Sequence, residues 1–363
     1  MTTYFCINCS EKYPPEGLPY TCPKCGGIFT VDLSQVLTRD DFSNNEPGIW
    51  RFRHTFGLPD DAPLSYLGEG RTPLLKLDFS GNPVYLKMET HNPTLSFKDR
   101  ATAILISMLR QRKVHKAVED SSGNAGASFA AYCSAFGVEA EIFIPESTSG
   151  PKRLQIESYN ASINQVAGSR QATTDAALLK VRQNRLVYAS HAYQPFGLSG
   201  IATVAYEIFE QLGAQPDLVI APVGHGSLLL GLIKGFELLK KSHLVDSLPE
   251  FIGVQAEQCA PVSSMWNKAK TFTPYSETIA EGVRVTTPIR GREIITKLQQ
   301  SSGSIMTIPE PGIIAAWQDL KKKGIFVEPT SALVWAAYRK LSSEIYKFPV
   351  LIMTGYGLKS GNA

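Results

Sequence analysis

Residues 84–145 contain V-Y-L-K-M (84–88), S-F-K-D-R-A-T-A-I-L-I-S-M-L-R-Q-R-K (96–113), A-V-E-D-S (117–121), N-A-G-A-S-F-A-A-Y-C-S-A-F (124–136) and E-A-E-I-F-I-P (139–145). Short β-branched runs of strand length alternate here with longer helix-length runs. Parallel neighbours in a sheet need a crossover of about a dozen residues, so this alternation predicts βαβ units and parallel strands. A second set follows: D-L-V-I-A-P-V (217–223), S-L-L-L-G-L-I-K-G-F-E-L-L-K-K (227–241), F-I-G-V-Q-A-E (251–257) and F-P-V-L-I-M-T-G (348–355). The turn P-F-G-L-S-G at 195–200 separates the two sets. The expected architecture is α/β, with two doubly wound domains and a cleft between them. Residues 101–196 form the smaller domain, and 31–100 with 197–363 the larger. The Pro- and Gly-punctuated stretch ending in R-T-P-L-L-K-L (71–77) reads as irregular chain wrapped around this body.

Composition narrows the classes of partner. The 363 residues are 43% hydrophobic and 19% charged, with a net charge of +3 spread along the chain. Such a balance gives no electrostatic footprint for nucleic acid or a membrane surface and leaves a small molecule as the expected partner. No apolar run approaches the roughly 18 residues of a membrane span, and the start M-T-T-Y-F-C-I-N-C-S has no secretory pattern. The expected compartment is the cytoplasm.

Four of the six cysteines fall in the first 25 residues. Cys6 with Cys9, and Cys22 with Cys25, form two C-x-x-C pairs around a 12-residue spacer. Each pair can turn two thiolates towards one tetrahedral centre, so residues 1–30 are expected to form a zinc ribbon. Four protein ligands leave no open position for water, which makes the zinc structural. Cys133 and Cys259 lie in apolar runs and read as small buried hydrophobes.

In open α/β sheets, ligands collect beyond the carboxyl ends of strands, in the turns that lead into helices. Four such turns stand out. In N-P-T-L-S-F-K-D-R (92–100), Ser96 and Asp99 match the Ser-x-x-Asp signal that starts a helix, which places Lys98 in the first helical turn. The positive field of a helix start, with partial burial, lowers a lysine pKa towards that of a usable nucleophile, although a lone helix-start lysine is more often solvated. In S-S-G-N-A-G-A-S (121–128), backbone N–H groups from Ser121, Ser122, Gly123 and Asn124 can cradle a carboxylate. G-H-G-S-L (224–228) is a candidate phosphate cup; Leu229 occupies the third-glycine position of a dinucleotide fingerprint, which favours a phosphate monoester. M-T-G-Y-G-L-K (353–359) can present the Thr354 hydroxyl to the cleft.

S-F-K-D-R, S-S-G-N, the glycine-rich loop after a strand, E-P-T-S-A (328–332) and T-G-Y-G-L-K occur in an order that resembles the fold type II pyridoxal 5′-phosphate (PLP) enzymes, most closely the threonine synthase-like members. The resemblance spans roughly residues 68–359, and an amino-terminal zinc ribbon occurs in some of these members. It implies that Lys98 carries PLP as an imine, that Asn124 donates to the cofactor's phenolate oxygen, and that Gly224, His225, Gly226, Ser227 and Leu228 hold its phosphate. Thr354 matches the position facing the ring nitrogen, where a hydroxyl is expected to leave that nitrogen largely unprotonated. The resemblance further implies a homodimer acting on an amino acid, with O-phosphohomoserine and water giving threonine and phosphate.

The chain departs from the pattern at several positions. Leu95 stands where the family usually has Gly, Ala125 and Gly126 follow Asn124 where Thr-Ser is usual, and His225 enters the cup. These departures keep serine/threonine ammonia-lyase or β-replacement chemistry open, together with a non-catalytic zinc-ribbon binding or regulatory protein on a degenerate PLP fold. Lys152 and Arg153 are candidates to meet a second phosphate, and His191 and Tyr193 to line the cleft.

Overall fold

The computed structural model describes residues 2–79, 81–148, 150–269, 275–341 and 346–360. Strands β1 (Thr3–Cys6) and β2 (Phe29–Asp32) pair antiparallel and form the amino-terminal ribbon. After a short helix, α1 (Asp40–Ser43), β3 (Leu74–Phe79) and β4 (Asn82–Met88) form an antiparallel hairpin. Then follow α2 (Lys98–Gln111), β5 (Lys116–Glu119), α3 (Asn124–Phe136), β6 (Glu139–Pro145), α4 (Pro151–Ser158), β7 (Ser162–Val166), α5 (Arg170–Asn184) and β8 (Val187–Tyr188). The chain continues through α6 (Gly197–Leu212), β9 (Leu218–Pro222), α7 (Ser227–Lys241), β10 (Glu250–Ala256), α8 (Pro261–Trp266) and α9 (Gly291–Gln300). It closes with β11 (Ser304–Ile308), α10 (Glu310–Lys322), α11 (Pro329–Lys340) and β12 (Pro349–Met353).

Two sheets result. One is parallel, in the order β7-β6-β5-β8; the other runs β11-β10-β9-β12-β4-β3 and is parallel except at β3. The uninterrupted apolar runs in β9 and β12 follow from coverage on both faces. Val219, Ala221, Val350 and Ile352 enter the core shared with α6 and α7, whereas Leu218, Ile220, Leu351 and Met353 enter the core shared with α10 and α11. The strand period of two divides the residues between the layers, as the doubly wound expectation requires.

Residues 74–77 were expected to be irregular chain, but they belong to β3. This is an edge strand with no fully buried residue: Leu74, Leu77 and Phe79 pack half-buried against the two cores, while Leu75, Lys76 and Asp78 are exposed. The anticipated division at residue 100/101 falls inside α2, which packs against both α3 and α6. Cys133 and Cys259 are fully buried. Among the described residues, no helix is long and apolar enough to cross a membrane.

The ribbon rests on the body through aromatic edges: Tyr4 and Tyr13 meet Phe196 at 4.9 and 5.0 Å, and Tyr20 meets Tyr188 at 5.1 Å between ring centroids. Lys234 Nζ and the Arg290 guanidinium donate to the carbonyls of Val31 and Phe29 at 2.9 and 3.0 Å. Within the ribbon the four thiol sulfurs lie within 4.8 Å of one another.

Candidate active site

The turns after β4, β5, β9 and β12 open on one cavity of ≈ 530 Å³ between the sheets. Lys98, Ser121, Ser122, Gly123, Asn124, the whole 224–228 turn and Thr354 all line it. The four stretches singled out in the sequence therefore meet at one place.

Backbone hydrogen bonds bring Lys98 and Thr354 together. Phe97 N–H donates to the Thr354 carbonyl at 3.1 Å, and Tyr356 N–H donates to the Leu95 carbonyl at 3.1 Å. Leu95 sits at φ +66°, the left-handed region a glycine would occupy without strain. Helix α2 does begin at Lys98, but the Ser96–Asp99 capping pair does not form. The capping position is Phe97, Ser96 Oγ has no partner, and the Asp99 carboxylate accepts from Thr94 N–H and Oγ1 at 2.7 and 2.6 Å. Asp99 instead tightens the turn preceding the lysine.

Lys98 is half-buried, and among the described residues no side chain accepts a hydrogen bond from its amine. Burial pulls its pKa down from 10.5 to about 8, against the opposing pull of Glu119 and Glu328. Beneath it, Arg100 grips Glu89 and Glu207 through contacts of 2.7–2.8 Å, and Lys87 Nζ donates to Glu207 at 2.7 Å. All four side chains are buried, so the two cations balance two carboxylates and anchor α2 under the lysine.

Helix α3 starts at Asn124, and α7 starts at Ser227 after Gly226 at φ +102°. First-turn N–H groups have no partner inside their own helix. A Cβ at Gly126 would fall 1.9 Å from the Ser121 carbonyl oxygen, and one at Gly226 would fall 2.1 Å from Ile294 Cδ1. Both turns thus depend on glycine for their tightness. Ser227 Oγ and Asn124 Oδ1 are buried without a partner, although Asn124 Nδ2 donates to the Glu328 carboxylate at 3.0 and 3.3 Å.

His191 lines the cavity, whereas Tyr193 does not; it packs on Tyr20 and Tyr188 at ring distances of 5.3 and 5.8 Å. His191 Nδ1 lies 3.3 Å from Glu119 Oε1, and its ring meets that of His225 edge-on at 5.7 Å. Burial and the nearby Lys98 push the His191 pKa well below its usual value. Burial and the adjacent Asp120 push the Glu119 carboxyl up to about 8. Burial also opposes ionisation of Asp120, but the Arg170 guanidinium at 3.0 Å outweighs it and holds that carboxyl low. Lys152, Arg170 and Arg284 also line the cavity, with Lys152 paired to Glu281 at 2.8 Å and Arg284 to Glu277 at 3.5 Å. Arg153 lies outside the lining and pairs with Glu157 one helical turn away at 2.8 Å.

Sequence reading assigned no role to Glu328, Glu119, Asp120 or Arg170. Glu328 stood in the quoted E-P-T-S-A stretch, and Glu119 and Asp120 at the end of the quoted A-V-E-D-S run.

Residues 66–355 match the family described as pyridoxal-phosphate dependent enzyme. The chain belongs to that family. The PLP enzyme is 32% identical to the threonine synthase of Methanocaldococcus jannaschii, over 99% of this chain and 93% of that protein. It is 30% identical to the threonine synthase of Methanosarcina acetivorans, over 93% of this chain and 86% of that one. Among solved structures, maize serine racemase superposes with a TM-score of 0.70 at 21% identity, covering 79% of this chain and 88% of its own. The processed threonine deaminase isoform 2 of Solanum lycopersicum gives 0.70 at 20% identity, covering 95% and 92%. These two likenesses establish the fold type II architecture, and the curated relatives make the enzyme a PLP-dependent, threonine synthase-like lyase. The cavity fits the cofactor: its walls hold a half-buried amine that donates a hydrogen bond to no described side chain, two helix starts and two buried polar atoms that lack partners among the described residues.

Proposed function

We propose that the enzyme converts O-phosphohomoserine and water to threonine and phosphate. The supporting observation is that the cavity lining carries two sets of groups suited to anions. The 224–228 turn at the start of α7 suits the cofactor's phosphate. Lys152, Arg170 and Arg284 suit a second phosphate carried by the substrate.

Bound PLP supplies an aldehyde for amine condensation and a sink for carbon-bound electron pairs. The chain's side of the chemistry follows from its residues. With a pKa of about 8, Lys98 has a neutral fraction of about a tenth at pH 7 and can take the Cα proton. N–H groups of Ser121–Asn124 hold the substrate carboxylate and fix which Cα bond faces Lys98. The Glu119–His191 pair offers a second proton carrier on the same wall.

The four cysteines are proposed to hold structural zinc. Sulfur separations of 3.3 Å (Cys9–Cys25), 3.5 Å (Cys6–Cys25) and 3.7 Å (Cys9–Cys22) approach the roughly 3.8 Å expected between thiolates on one tetrahedral zinc. The proposal includes a homodimer working in the cytoplasm, as the resemblance implies.

Incubation with O-phosphohomoserine should release phosphate and threonine in equal amounts. Release of a keto acid and ammonia from serine or threonine, with O-phosphohomoserine inert, would replace this assignment by the ammonia-lyase one. A purified protein with no absorption band near ~410 nm after PLP addition would favour the non-catalytic alternative.

A further inference from the structure

Strand β2 of the ribbon is bonded at three consecutive residues to the two helices that shape the 224–228 turn. Arg290, the residue before α9, donates through Nη1 to the Phe29 carbonyl at 3.0 Å and to Glu293 Oε2 at 3.1 Å. Glu293 Oε1 accepts from Thr30 Oγ1, and Lys234 Nζ, 3.3 Å from the same oxygen, donates to the Val31 carbonyl at 2.9 Å. Lys234 lies on α7, the helix that this turn opens, and the three charged side chains are buried. Removing one member of a buried charged set costs far more than breaking a surface pair. The ribbon strand, α7 and α9 therefore hold one another as a unit.

The unit reaches both sites. On the ribbon side, Phe29 pairs in register with Cys6 and packs on Cys6 and Cys22, so its position follows the closure of the four-thiol centre. On the cavity side, Gly226 lies against the start of α9: a Cβ there would fall 2.1 Å from Ile294 Cδ1 and 3.7 Å from Arg290 Cβ. Arg290 Nη2 also donates to the Tyr193 carbonyl at 3.1 Å, in the turn that carries His191. No described ribbon residue lines the cavity, so any influence of the ribbon on it is indirect. We infer that Arg290 is a positioning residue that couples the cysteine centre to the cofactor's phosphate turn: a metal-closed ribbon tightens PLP binding, and bound PLP tightens the hold on the metal by the same factor. The two factors are equal because both ligands bias one packing arrangement. The inference rests on the proposed zinc in the ribbon and on PLP filling the cavity.

The test titrates the full-length protein with PLP, followed by the band near ~410 nm, with zinc bound and after its removal by a chelator. Zinc affinity is measured against a chelating dye, with and without saturating PLP. In the wild type each ligand should tighten the other by the same factor, about tenfold, and the phosphorus-31 resonance of the bound cofactor should move when zinc is removed. Arg290→Met should bring both factors towards one and leave that resonance indifferent to zinc; a purely structural arginine would instead weaken PLP binding equally with and without the metal. Thr30→Val removes only the ribbon hydroxyl from Glu293, so it should lower the factor partway, and it carries the test where Arg290→Met does not fold. A factor of one in the wild type with both ligands bound, or an unchanged factor in the folded variants, overturns the inference and leaves the zinc and PLP assignments standing. A wild type that binds no zinc in the dye assay, or shows no band with PLP, overturns that assignment and this inference with it.

Discussion

The pKa of Lys98, about 8 instead of 10.5, predicts how the apoprotein captures its cofactor. Only the neutral amine attacks an aldehyde. At pH 7.5 a group with pKa 8 is about 24% neutral and one at 10.5 about 0.1%, a ratio of about 240. Stopped-flow mixing of apoprotein with PLP, followed by growth of the band near ~410 nm, should give a rate that rises with pH and levels off with a midpoint near 8. Borohydride reduction and peptide mapping should identify Lys98 as the modified amine. Glu119 opposes the effect of burial, so Glu119→Gln should move the midpoint lower still. A rate that keeps climbing tenfold per pH unit through about pH 10 would refute the argument that burial primes this lysine.

The same pKa makes a stability prediction of definite sign. The unfolded chain holds the lysine proton up to about 10.5, and the folded chain releases it near 8. Between these values the unfolded state binds more protons, so apoprotein stability rises with pH through that window. Below pH 8 the destabilisation is fully present, at most about 3 kcal/mol, and water in the open cavity reduces it. Apo Lys98→Met should therefore be more stable than apo wild type at pH 7, with the difference vanishing above about pH 10.5.

Lys87→Met leaves Glu89 and Glu207 to share Arg100 alone, so the urea midpoint should fall by the equivalent of about 3–5 kcal/mol with kcat of the folded fraction unchanged. Burial disfavours ionised Glu207, yet Arg100 and Lys87 hold its carboxyl far below the usual range; its contribution is present above about pH 4.3 and is lost as pH falls, so Glu207→Gln should flatten the acid branch of the stability curve. Gly126→Ser pushes Cβ against the Ser121 carbonyl and should lower kcat/KM at least about tenfold by displacing the carboxylate-binding turn, with circular dichroism unchanged. Elemental analysis should find one zinc per chain, and its removal by chelator should lower the thermal midpoint because the ribbon's packing on Phe196 and Tyr188 then loosens.

The four cavity-lining turns were legible in the sequence because their determinants are local. A strand run followed by Gly, Ser or Asn and then a helix run describes β5 into α3 and β9 into α7 without reference to distant residues. The charged partners were not legible. Asn124 and Glu328 are 204 residues apart and meet only once the two sheets face each other, and Glu119 and His191 are 72 apart and meet only once β5 and β8 pair as neighbours. Ser96 and Asp99 show the reverse error. Their spacing fits a capping pair, but Thr94 offers Asp99 both an N–H and a hydroxyl within 2.7 Å, and this tertiary competition decides the outcome.

Leu95 links the local and the distant parts. A non-glycine residue in the left-handed region costs roughly 1–2 kcal/mol, and this one persists because its N–H donates to Asn92 and its carbonyl accepts from Tyr356, with Phe97 N–H held by Thr354. Those bonds determine where Lys98 leaves the backbone relative to the Thr354 hydroxyl. Leu95→Gly would relieve the strain while freeing the turn, so a gain in stability accompanied by slower capture of PLP would mean that the strain positions the amine. The departure from the family pattern at residue 95 is then not a defect of the site: the strained leucine and the stitched turn together hold the reactive lysine opposite the Thr354 hydroxyl.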